Sequence, residues 1–352
     1  MKSLHCILAF TLGICLCKFA QAGKGDAQTH VEPVKVQHAV ERAIGYLQSE
    51  SGAWVNQGRC AACHHAAMPL WALNEAASDG YAVDRDFLNH IADVALGSPQ
   101  KMIAAGIAEN PAKPDPRPMG RGINVGAVFM AVAARSSPTL AQGPQQSLKL
   151  IADDIVHKQQ PDGSWEFFLS RPPINQSQTT DAAWIIMVLQ GEAGPDMPES
   201  HRKALQKGLT WLNSAGEPDG EEVTALKLLV AIRAGAPRKT TDAACEHLLK
   251  LQQADGAWSQ LSDGKGDAFA TGQTLYVLAL AGYTVHDAAI ERAIDFLITT
   301  QKADGSWAMT SRASPDGRPG GSAKNLKPIT CGAAAWATMG LAKLVPQSQQ
   351  HD

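Results

Sequence analysis

One heptapeptide returns along this chain and governs what the chain can fold into. Three copies share the pattern Gln-x-x-Asp-Gly-x-Trp: Gln159 with Asp162, Gly163 and Trp165; Gln252 with Asp255, Gly256 and Trp258; Gln301 with Asp304, Gly305 and Trp307. A fourth, Gln48-x-x-Ser51-Gly52-Ala53-Trp54, has serine in place of the aspartate. Trp258 and Trp307 stand about 50 residues apart, a period typical of helical repeat arrays. The wider gaps upstream each leave room for a degenerate copy, one of them visible around Trp211 to Gly220. A single unit of this size cannot bury its apolar face alone, so neighbouring units must stack.

Each unit reads as a helical hairpin. A charged amphipathic helix ends at the glutamine, as in His247 to Gln252, and Asp-Gly makes the turn, because glycine readily takes positive φ. A second helix follows with few charges and many small residues, as in Cys331-Gly332-Ala333-Ala334-Ala335, and is expected to be buried on most sides. Six pairs are expected: 36–48 with 69–79, 84–106 with 122–136, 145–160 with 179–193, 199–214 with 221–235, 240–253 with 268–282, and 287–301 with 329–344. The fold class is all-α, an (α/α)6 toroid of six helical hairpins with charged helices outside and apolar helices inside. The repeat domain spans 36–345, preceded by a linker over 23–35 and followed by a polar tail over 346–352.

The Gln-x-x-Asp-Gly-x-Trp copies resemble the QW repeat of the squalene–hopene cyclase and protein prenyltransferase superfamily, over most of the chain from Val36 to Leu344. The resemblance implies a toroid with a cavity at one end, and a structural role for the motif: glutamine and tryptophan tie neighbouring outer helices together. Trp165, Trp258 and Trp307 are therefore expected at outer junctions between repeats. The chain is most similar to exported bacterial members that join QW repeats to a C-x-x-C-H-H segment.

That segment is Cys60-Ala61-Ala62-Cys63-His64-His65. C-x-x-C-H is the attachment signature of c-type haem: both thiols form thioethers to the porphyrin, and the histidine takes an axial position on iron. The reading therefore assigns haem c to Cys60, Cys63 and His64, with His64 as the axial iron ligand. A redox disulfide and a zinc site are the alternatives. Residues 1–22 support the haem reading. Lys2 precedes an apolar run from Leu4 to Cys17, and Ala20-Gln21-Ala22 resembles a cleavage site, which together read as a secretory signal peptide. The run is too short for a membrane span. The protein is thus expected in the periplasm or secreted, where covalent haem attachment takes place. Removal of the signal leaves four of the seven cysteines: Cys60, Cys63, Cys245 and Cys331. The last two read as buried structural thiols. With a net charge of −3 and no basic run, nothing suggests a nucleic-acid partner. The partners implied are a redox protein or a hydrophobic small-molecule ligand.

Long insertions fall between the first and second helix of a pair, at 54–68, 107–121, 165–178 and 307–328, so all reach the same rim of the ring. They carry Arg59, Arg117, Arg121, Arg171, Arg312 and Arg318, suited to haem propionates or an anionic ligand and equally to solvent. Prolines 111, 114, 116 and 118 stiffen the second loop, which makes Met119 the candidate second axial ligand; a water or no ligand fits equally well. His65 and Met68 are too local to reach the opposite face of a porphyrin. A zinc site would need a further donor such as Cys331 or Asp181.

The resemblance also raises alkene cyclisation, which needs an acidic D-x-D-D-T-A motif to protonate a very weak base. The closest segment is Gln178-Thr179-Thr180-Asp181-Ala182-Ala183, with threonines where the central acids should stand. Asp181 is the one weak catalytic candidate, and capping of its helix or bonding within the ring is the simpler reading. A polysaccharide-active toroid would need paired carboxylates among Asp181, Glu221, Glu222 and Asp267, together with aromatic subsites. A non-catalytic interaction module is the remaining alternative.

Overall fold

The structure, a computed structural model, describes residues 31–56, 65–97, 123–136, 144–167, 172–174, 176–216, 220–310 and 326–347. Among these residues there are twelve helices and no strand, apart from one isolated bridge between Gln301 and Trp307. The outer helices are α1 (Pro33–Asn56), α3 (Arg85–Leu96), α5 (Gln145–His157), α7 (Glu199–Ser214), α9 (Arg238–Lys250) and α11 (Ala288–Thr300). The inner ones are α2 (Ala67–Ser78), α4 (Val125–Arg135), α6 (Gln178–Gln190), α8 (Glu221–Arg233), α10 (Ala268–Leu280) and α12 (Lys327–Leu344). Each inner helix packs on the next in the order α2, α4, α6, α8, α10, α12, and α12 returns to α2, so the inner ring is closed. The expected toroid of six hairpins is the observed fold.

The repeat motif acts at the outer junctions. Trp165, Trp258 and Trp307 are buried, and each indole N–H donates to the carbonyl ten residues upstream, on Ile155, Leu248 and Leu297. The glutamine side chain reaches both ways. Its amide donates to its own turn and to the first turns of the next outer helix: Gln159 to Ala204, Gln252 to Ala289, Gln301 to Ala39. The last of these bonds joins the sixth hairpin to the first. Between α10 and α12 the small residues matter most. A Cβ on Gly272 would lie 2.3 Å from the Ala337 amide nitrogen, so these two backbones touch.

The aspartate closes the turn by accepting from residue i+2. Asp162 Oδ1 accepts from both the amide and the hydroxyl of Ser164, and Asp304 does the same with Ser306. These bonds hold both carboxyls below the ordinary carboxylate range. An acid with a depressed folded-state pKa contributes stability that is present above its unfolded pKa and lost as pH falls through the folded value. Stability should therefore decline on acidification below about pH 4, with these two turns contributing under about 1 kcal/mol because both carboxylates are exposed. The double variant Asp162→Asn, Asp304→Asn keeps an acceptor and loses the titration. Its melting temperature should fall less steeply between pH 5 and 3 than that of the parent; an unchanged slope would refute the assignment.

The first copy departs from the expectation. Helix α1 was expected to stop near residue 48 and instead runs through Gly52 to Asn56. Ser51 supplies no carboxylate to fold the turn back, and its side chain is buried where aspartates 162, 255 and 304 are exposed. Gln48 keeps a stitching role, since its Oε1 accepts from the Asp84 amide at the start of α3. Trp54 does not adopt the repeat arrangement, and its ring goes elsewhere.

Candidate functional site

The rim where the long insertions lie is the end at which the inner helices begin. At one sector, α1 ends and α2 starts on either side of residues 57–64. Cys60, Cys63 and His64 fall within that segment and lie outside the described residues, as do Met119 and the rim arginines 59, 117, 121, 171, 312 and 318. His65 is 1% exposed, and its ring stacks on Trp54 with centroids 3.8 Å apart and planes 6° from parallel. Its Nε2 is 3.7 Å from Glu50 Oε1, one turn earlier on α1. Lys327 at the start of α12 donates to both oxygens of Glu50, at 3.0 and 3.2 Å. His65 is thus built into the wall. Met68 is likewise a core residue of α2. Cys331 is buried on α12, where burial above all, then Glu50, pushes its thiol pKa up, while Ser51 opposes the shift. Cys245, on the outer helix α9, is buried as well, its thiol pushed up to about 11, so both thiols are buried as expected.

Inside the ring, at the same end, lie the inner-helix carboxylates. The cap of α6 is Ser177, not Asp181: Ser177 and Thr180 satisfy each other reciprocally in a capping box, and Asp181 follows in the first turn, largely buried. Glu221 and Glu222 occupy the first turn of α8, both buried, and Thr274 of α10 donates to Glu221 at 2.7 Å. Asp267 caps α10 through the amides of Phe269 and Ala270, and burial raises its pKa against these bonds and that from Gln260. The topology therefore gathers all four carboxylates at one mouth.

Beneath them an aromatic cluster fills the axis. Trp71, Trp184, Trp336, Tyr276, Phe129 and Phe269 come from five inner helices and meet mostly edge-to-face, with centroids between 4.6 and 6.3 Å. All six are buried against one another and so are not open stacking subsites. At the far end Trp71 donates to Glu75, and Lys343 pairs with Glu75 and Asp79. This cluster was not anticipated from the sequence. Its signal was the presence of tryptophans on the charge-poor helices, outside the repeat motif.

Residues 217–351 match the family model of the squalene-hopene cyclase C-terminal domain. That match covers the C-terminal 135 of the 352 residues. The whole ring of six hairpins has the α/α-toroid fold. Type II terpene cyclase MstE from Scytonema, solved with geranylgeranyl dihydroxybenzoate, superposes with TM-score 0.53 at 14% identity over 89% of this chain and 98% of its own. ent-Copalyl diphosphate synthase from Streptomyces platensis gives 0.51 at 19% identity, over 79% of this chain and 50% of its own. A polysaccharide lyase gives 0.56 at 11% identity, over 89% and 97%. No curated protein matches. This α/α toroid thus shares its architecture with enzymes of unrelated chemistry, and its fold alone does not fix its function. In this toroid Thr180, which stands where an acid of the cyclase motif would be, is committed to the capping box.

Proposed function

We propose that this is an exported cyclase-type toroid that carries a covalent c-type haem on the rim link 57–64 and serves electron transfer or redox chemistry on a ligand at the ring mouth. The donor set carries the reading: two thiols and an imidazole at C-x-x-C-H spacing, Cys60, Cys63 and His64. The burial of His65 against Trp54 supports it, because it leaves His64 as the imidazole of the pair for iron. The thiols would anchor the porphyrin, and bound haem would supply one-electron redox capacity. Met119 is the candidate sixth ligand. Export through the signal peptide at 1–22 completes the proposal, with a redox protein or an apolar small molecule as partner.

Expression in a host competent for cytochrome c maturation tests it. The purified protein should show a Soret band and haem that survives denaturing electrophoresis. Cys60→Ala with Cys63→Ala should abolish the covalent haem, whereas His64→Ala should retain haem and alter the iron spectrum. A matured protein without a Soret band and with stoichiometric zinc would refute the haem assignment in favour of the metal site.

A further inference from the structure

We propose that His201 is a proton-operated latch that fastens the fourth hairpin to the second and third, closed while its ring carries two protons and released when it loses one. The latch is independent of the haem reading and of the residues that carry it.

His201 stands in the first turn of α7 and is buried. A carboxylate faces each ring nitrogen. Nδ1 is 2.6 Å from Glu192 Oε2, in the link between α6 and α7, and Nε2 is 3.1 Å from Asp153 Oδ1 on α5. An ionised carboxylate only accepts, and a neutral imidazole has one N–H. Two donated bonds therefore require the doubly protonated ring. Both carboxylates are anchored in turn. Glu192 Oε1 accepts from Arg135 at the end of α4, whose guanidinium also donates to the Gly191 carbonyl. Asp153 accepts from Lys149 with both oxygens. Charges of alternating sign thus run from α4 through the link to α7 and α5. The nearby charges on these helices pair among themselves: Asp154 with Lys158 on α5, and Glu199 with Arg202 and Lys203 on α7. The only charged residue of α6 is Asp181, at its other end.

Loss of a proton leaves one nitrogen lone pair facing a carboxylate, and that contact opens. Glu192 is 12% exposed and Asp153 43%, so Asp153 is the partner that turns to water while keeping Lys149. The proton leaves Nε2 for solvent on that side, and α7 lets go of α5. The latched form is the protonated one, so its contribution is present at low pH and is lost as pH rises through the titration of the ring. Histidine ordinarily changes charge between about pH 5 and 8.

Hydrogen exchange of the full chain at about pH 5.5 and 8, corrected for intrinsic rates, tests the latch, with the ring nitrogen-15 shifts of His201 as the direct readout. The ring should carry two protons at the lower pH and one at the higher. Amides 202–206 should exchange about five- to tenfold faster at the higher pH, the scale of one net hydrogen bond. The start of α9, which has no histidine in its first turn, should hold steady. Asp153→Asn is the decisive variant. Its amide can accept from a protonated Nε2 or donate to a bare one, so the contact survives at both values and the difference in exchange should vanish. His201→Gln, which cannot titrate, should likewise lose the pH response, and it takes over the test should Asp153→Asn not fold. A merely structural histidine would leave Asp153→Asn as pH-dependent as the parent. That result, a ring in one protonation state across the range, or amides that ignore pH would each overturn the latch.

Discussion

Gly305→Ala should destabilise this protein by about 3 kcal/mol or more, a large part of the stability of an ordinary domain. Two effects combine at that position. Gly305 has φ +87°, a conformation that costs a residue with a Cβ about 1–2 kcal/mol. In addition, a Cβ there would lie 2.2 Å from the Arg42 carbonyl oxygen and 2.5 Å from its carbon. Both atoms are backbone within α1, so relief requires the sixth hairpin to separate from the first. Gly282 separates the two effects: its φ is +96° and nothing lies within 4 Å of its Cβ position. Gly282→Ala should therefore show only the conformational cost. Denaturant unfolding of both variants gives the difference, and equal losses would mean that the ring is not closed as described.

Trp336→Ala should cost about 3–5 kcal/mol, the range for deletion of a large aromatic from a packed core. Its ring contacts Trp71, Trp184, Tyr276 and Phe269, and it is fully buried. Its indole nitrogen makes no hydrogen bond, which is unusual for a buried tryptophan. Trp336→Phe therefore removes volume and abandons no polar partner, and it should recover most of the loss. Trp184→Phe should recover less, because that indole donates to the Ile174 carbonyl at the rim. Urea unfolding of these three variants and of Trp184→Ala provides the comparison. A Trp336→Phe as damaging as Trp336→Ala would show that the nitrogen has a partner after all.

The toroid was legible because three junctions use the same side chains for the same bonds. Gln159, Gln252 and Gln301 each stitch their own turn to the next outer helix, so a motif seen three times reports three junctions. Trp54 misled because the motif letters describe a turn only when an aspartate folds it. With Ser51 in that place the helix continues and the tryptophan meets a different partner. The axial aromatic cluster was illegible for another reason. Apolar periodicity shows that α6 and α12 are buried all round, but it cannot tell which of their residues face the axis. The carboxylates were found by residue type, whereas their gathering at one mouth depends on every inner helix beginning at the same end. Asp181 was assigned to the cap that Ser177 provides, because both fall within the first turns and only the bond pattern distinguishes them.

The bond from Gln301 to Ala39 also has a consequence for how the chain is made. An open solenoid can grow from one end and needs polar caps to finish it. Here hairpin one waits for hairpin six. The Tyr81 hydroxyl donates to the Val345 carbonyl, and the Gln347 amide donates to the Asp79 carbonyl, so the first hairpin is completed by residues that follow the sixth. Until then the first inner helix presents apolar surface that has no partner earlier in the chain. Vectorial synthesis cannot finish this protein piecemeal, and cooperative assembly is confined to the moment when the final hairpin arrives.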